Sequence, residues 1–155
     1  MYATVLTFHI LVGAAGLLLG PVLMWADAHW RRSGDIGVAY LGVVAAVCLS
    51  AVALVLWWRP ELWGLIPLSV LTFGLAWLGR YSAGRAGKWT HAYVHGLGGS
   101  YIALITATVV VSFAIDGPLR GGAQLVAWLG PTVIGVVLLE MWRRQLVQGA
   151  RDRDV

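Results

Sequence analysis

Charge is what this chain has least of. Only 12% of its 155 residues are Asp, Glu, Lys or Arg, about half of the roughly 25% usual in a soluble domain. With 59% hydrophobic residues and a mean hydropathy of +0.79, too few solvated groups remain to cover a globule, so lipid is the expected solvent. Cysteine is almost missing as well. Cys48 stands alone, which excludes a disulfide within the chain and every cysteine-based metal motif. Within its apolar run it reads as a small packing residue. The chain also lacks a nucleotide-binding loop, a Ser-His-Asp order and paired carboxylates in a soluble setting. The residues therefore name no reaction.

What the chain does contain is a succession of apolar runs. Five of them read as membrane spans, at residues 3–25, 36–58, 62–79, 90–115 and 121–142, with a polar tail over 143–155 expected to fray. The fold class expected is all-α, a polytopic membrane helix bundle. Ala26-Asp27-Ala28 has the small-x-small look of a cleavage site. No basic segment precedes the first run, however, and that run is too long for a signal peptide, so it reads as a retained span. Gly16 and Gly20 form a GxxxG pair in the first span, which favours close helix contact. Pro21 removes a donor and leaves the Leu17 carbonyl without its helical partner.

The 11 basic residues give the orientation. Arg31, Arg32, Arg80, Arg85, Lys88, Arg143, Arg144, Arg151 and Arg153 fall on one side of the five-span layout, and only Arg59 and Arg120 on the other. This asymmetry predicts an N-terminus outside and a C-terminus in the cytoplasm. It also accounts for the net charge of +4 without invoking nucleic acid. Trp25, Trp30, Trp57, Trp58, Trp63, Trp89 and Trp142 fall near the expected interfaces, as amphipathic rings should. The expected location is a bacterial cytoplasmic membrane.

Five candidate metal ligands share the cytoplasmic level in this layout. His91 and His95 are four apart at the start of the fourth span, so both project from one helix face. That spacing suits two imidazoles on one ion such as Zn²⁺. Asp27 and His29 end the first span, and Glu140 ends the fifth. Each has an ordinary alternative: Asp27 and His29 as solvated loop residues, Glu140 paired with Arg143 or Arg144 at helical spacing. His9 lies about 24 Å along the first helix from Trp25. It is a candidate haem b ligand, since membrane haems take imidazoles from different helices. The plainer reading is a packing histidine bonded to Ser69, Thr72, Thr106 or Ser112.

Several short stretches carry a family resemblance. Phe8-His9-Ile10-Leu11-Val12-Gly13 runs on to Gly20-Pro21, giving a His-x3-Gly followed by a later Gly-Pro. Gly37-Val38-Ala39-Tyr40 opens the second span. His91 precedes Gly98-Gly99-Ser100-Tyr101-Ile102-Ala103 and Thr106-Ala107, and Trp128-Leu129-Gly130-Pro131-Thr132-Val133-Ile134-Gly135 lies in the fifth span. Together they resemble the small bacterial membrane proteins catalogued as domain of unknown function 2306. Those proteins commonly carry a basic or histidine residue before the second-helix motif, where this chain has Ser33 and Gly34. The resemblance implies a multi-pass membrane protein and no established reaction.

Two functional classes follow. One is a metal- or haem-binding membrane protein built on His91 and His95. The other is a cofactor-free carrier, lipid or solute pathway, or assembly partner, consistent with glycine seams and proline in three spans. The lipid bilayer is the partner common to both. The same glycine seams serve either contacts within one bundle or a homo-oligomer or membrane protein partner.

Overall fold

The computed structural model describes residues 1–29, 34–85, 91–115 and 117–151, without the side chains of 27–29, 84–85 and 145–151. Every regular element among the described residues is helical. The helices are α1 (Tyr2–His29), α2 (Gly34–Trp57), α3 (Leu65–Arg85), α4 (His91–Val109) and α5 (Gln124–Arg151). Segments Tyr2–Ala26, Gly34–Trp57, His91–Ile115 and Gly121–Arg144 are long and apolar enough to cross a membrane. The shortest of these is about 36 Å, against a hydrocarbon core of about 30 Å.

α3 is apolar only from Leu65 to Gly79, about 22 Å, before Arg80 and a polar last turn. Among the described residues, four helices qualify as spans by length and composition, and α3 joins them as the fifth helix of the bundle. Leu18 and Leu49 are 72% exposed and Trp57 71%, and most of the outer face of α5 is apolar and open. Such continuous apolar surface is what a bilayer covers and water does not.

Successive helices run antiparallel. His9 and Gly16 of α1 meet Ser50 and Val43 of α2. Gly37 of α2 faces Arg80 of α3, Gly79 of α3 faces Gly96 of α4, and Gly98 of α4 faces Leu139 of α5. α4 is central: nine of its 19 residues are buried, and it packs on α3, α5 and α1. The main core joins Leu23, Tyr40, Val44, Val94, Leu97 and Leu139. A smaller cluster of Val110, Ala114 and Ala127 closes the other end.

Glycine sets the helix spacing. A Cβ on Gly96 would lie 2.5 Å from the Gly79 backbone nitrogen, and one on Gly79 2.6 Å from that of Leu97. α3 and α4 therefore touch backbone to backbone, as small residues permit in membrane bundles. The GxxxG pair of α1 is used differently. Gly20 seats the ring of Tyr101, 2.3 Å from where its Cβ would stand, and Gly16 faces Val43 and Leu104 side chains. Gly98 receives Leu139, and Gly135 receives Ile102.

The helix ends differ from the sequence expectation in three places. α3 continues to Arg85 rather than stopping at Gly79. α5 continues through Arg151, where a frayed tail was expected from residue 143; Glu140 bonds Arg143 and Arg144 one turn on and reinforces that segment. α4 passes into a π-helical turn, Val110–Ile115. As at any helix end, the last carbonyls of that turn have no partner within the helix. Gln124 Nε2 donates to the Ala114 carbonyl at 2.8 Å, and the Leu119 amide to Phe113 at 2.9 Å. In the connection between α2 and α3, the Arg59 guanidinium donates to Glu61 and holds its carboxyl below the usual carboxylate range.

The glycine contact gives a stability prediction. Gly96→Ala sets a methyl group against backbone that cannot swing away, so it should cost about 1–3 kcal/mol as overpacking does. Gly74→Ala meets open space and should leave stability unchanged or raised, by up to about 1 kcal/mol of helix propensity. Thermal unfolding of both variants in one detergent checks the pair.

Candidate functional site

His91 and His95 lie on one face at the start of α4, their ring centroids 5.6 Å apart and their planes within 2° of parallel. His91 is exposed and His95 half-buried. The stacking bears on chemistry. Imidazole lone pairs lie in the ring plane, and the planes of two stacked parallel rings do not meet. A shared ion therefore requires one ring to turn about its Cβ–Cγ bond, a broad and inexpensive torsion. Among the described residues no group of three or more His, Cys, Asp or Glu is placed to hold a metal. Glu140 is engaged by its own helix: Arg143 reaches it through Nε and Nη2, both at 2.8 Å, and Arg144 through Nε at 3.0 Å. The side chains of Asp27 and His29 lie outside the described residues.

His9 is at the opposite end of the bundle, bonded through Nδ1 to Ser50 Oγ at 2.8 Å. Ser50 directs its one hydroxyl proton at the carbonyl of Ala46 or Val47, at 2.7 and 3.0 Å. The histidine must then be the donor, with its proton on Nδ1. The partner belongs to α2 and is none of the hydroxyls expected from sequence. Ser69, Thr72 and Thr106 instead bond back to carbonyls of their own helices. The bond joins α1 to α2, as the packing reading of His9 expects, though through another hydroxyl.

Two further polar contacts tie the helices together. Tyr40 and Ser100, 1% and 0% exposed, are 3.1 Å apart. Because Ser100 donates to Leu97 at 2.6 Å, the Tyr40 hydroxyl donates to Ser100. Tyr101 donates to the Leu17 carbonyl at 3.1 Å. That carbonyl is the one Pro21 orphans, so α4 supplies across the helix interface the bond that α1 cannot make. Sequence flagged the orphan but not its partner.

Beside this contact a groove of about 450 Å³ opens between α1, α4 and α5. Its walls include Met24, Tyr101, Ile105, Gly130, Ile134 and Trp142, nearly all apolar. The volume is in the roughly 300–1,000 Å³ range of ligand sites. Trp142 closes the end nearest the start of α4, its ring 6.3 Å from that of Tyr93. Its indole nitrogen is buried without a hydrogen-bond partner among the described residues. The sequence marked Gly98, Tyr101, Gly130 and Ile134 only as parts of two separate motif stretches, and nothing in it joined these to Met24 and Trp142 as one wall.

Comparison with family models, curated proteins and solved structures returned no match for this chain.

The buried pair at His9 gives the test of this subsection. A double-mutant cycle of His9→Phe and Ser50→Ala should return a coupling of about 0.6 kcal/mol, and no more than roughly 1.7, as measured for hydrogen bonds between membrane helices. Unfolding in mixed micelles measures it. A coupling near zero would remove the bond as a tie between α1 and α2.

Proposed function

We propose that this chain is a five-span protein of a bacterial cytoplasmic membrane, N-terminus outside and C-terminus inside, that works without catalysis by holding an apolar molecule in the groove between α1, α4 and α5. The groove carries this reading. His9 bonds Ser50 and Tyr40 bonds Ser100 across helices, several other interior hydroxyls bond to carbonyls of their own helices, and the groove is lined almost wholly by apolar atoms. Such a site binds by burial, at about 25 cal/mol per Å² of apolar surface, and holds no acid, base or nucleophile. α3 counts as the fifth span because it packs antiparallel between α2 and α4, with Arg80 able to reach the interface from its end. The basic asymmetry then gives the orientation. The motif resemblance to the domain of unknown function 2306 proteins agrees with a multi-pass membrane protein.

A second reading rests on the stacked pair at His91 and His95: a divalent metal such as Zn²⁺ taken at the cytoplasmic surface, with waters completing its coordination. Haem draws less support, since two imidazoles one turn apart on one helix cannot occupy opposite axial positions.

Three measurements follow. With Cys48→Ala as background, single cysteines at Glu61 and Gly34 should label from the outside and from the cytoplasmic side respectively; the reverse pattern sinks the orientation. Gas-liquid and mass-spectrometric analysis of protein purified in mild detergent should find one apolar molecule per chain, lost in Gly130→Phe, which fills the groove. A wild type that carries none defeats the groove reading. For the second reading, elemental analysis and an absorption spectrum should show metal that His91→Ala/His95→Ala abolishes, and no stoichiometric metal with no Soret band removes it.

A further inference from the structure

The groove has a length, an end and a charge, and these narrow what fills it. Its α5 wall runs from Gly130 to Trp142, a rise of about 18 Å. One leaflet of hydrocarbon is about 15 Å deep, half of a core of about 30 Å. On the α4 side it reaches only from Gly98 to Ile105, so it stops near mid-membrane. It is therefore a slot one leaflet deep, open sideways to lipid, with Trp142 at the headgroup level.

Two features sit at that level. The Trp142 indole N–H is buried and unpartnered among the described residues, and a buried donor without an acceptor is costly. One and two residues on, Arg143 and Arg144 share the single carboxylate of Glu140, which leaves one positive charge in excess. A ligand that meets all three conditions has a long apolar chain, a carbonyl at its upper end and a negative headgroup beyond.

Resting on the groove reading above, we propose that the occupant is an anionic diacyl phospholipid of the leaflet on the Arg143 side. One acyl chain lies in the groove over Gly130, Ile134 and Tyr101. Its ester carbonyl accepts the Trp142 indole proton. The indole swings to meet it about a broad χ2 torsion. The phosphate-bearing headgroup is held by the excess charge of the Arg143–Glu140–Arg144 cluster, at the strength of a surface charge contact and not more.

The experiment is native mass spectrometry of the whole protein released from nanodiscs. The nanodiscs contain equal parts of phosphatidylglycerol and phosphatidylcholine with identical chains, or the ether-linked counterparts of both. The expected result is one retained phosphatidylglycerol per chain. Trp142→Phe should lower retention of the ester lipid about two- to tenfold, the worth of one hydrogen bond, and leave the ether lipid unchanged. Arg144→Gln, at an exposed position, should reduce the preference for the anionic headgroup. Gly130→Phe should abolish retention of either lipid. Retention without headgroup preference, or an unchanged ester dependence in Trp142→Phe, overturns the inference while leaving the groove reading intact. Retention of no lipid by the wild type, or retention unaffected by Gly130→Phe, overturns both.

Discussion

The bundle depends on a contact that involves no side chain. Gly79 and Gly96 bring the α3 and α4 backbones so close that a single methyl group at either position has nowhere to stand. Lipid tails are as apolar as leucine, so burial alone gives membrane helices little reason to prefer one another. Close approach supplies that reason through dispersion contacts along two backbones. It also makes α4 the axis of the molecule, since the remaining faces of α4 are then free to carry Tyr101 into α1, Ser100 towards Tyr40 of α2, and Gly98 under Leu139 of α5.

Lipid sets the second constraint. A backbone carbonyl freed within the bilayer finds no water and must find protein. Pro21 frees the Leu17 carbonyl and the hydroxyl of Tyr101 answers it. The Ala114 carbonyl, left free where the π-helical turn Val110–Ile115 ends, is met in the same way by Gln124. His9, Tyr40, Ser50 and Ser100 are likewise bonded among themselves or to nearby carbonyls. His9, Tyr40, Ser50, Ser100 and Tyr101 thus tie helices together, while Ser69, Thr72 and Thr106 bond back within their own helices. At the periphery lie the stacked histidines, the arginine pair on one carboxylate, and the Trp142 indole nitrogen, which is buried without a partner among the described residues.

These peripheral features share the end of the bundle where α1 finishes and α4 begins. Tyr101 links the interior to that surface, because one ring both satisfies the Leu17 carbonyl and forms a wall of the groove. The packing that closes α1 onto α4 therefore also shapes the lateral slot.

The sequence by itself determined the all-helical, lipid-facing character of the chain, because composition and the length of an apolar run act locally and need no neighbour. It also determined that Pro21 orphans Leu17 and that Glu140 has arginines within one turn, since both follow from helical spacing. Which groups meet across helices was decided only by the tertiary structure. His9 chose Ser50 over four other hydroxyls, Gly20 accepted a ring where a helix backbone was expected, and Met24, Tyr101, Ile134 and Trp142 became one wall. Such contacts depend on the rotation and depth of one helix against another. In a medium where every outward apolar residue is equally content, the hydrophobic pattern leaves those two quantities unset until the glycines dock.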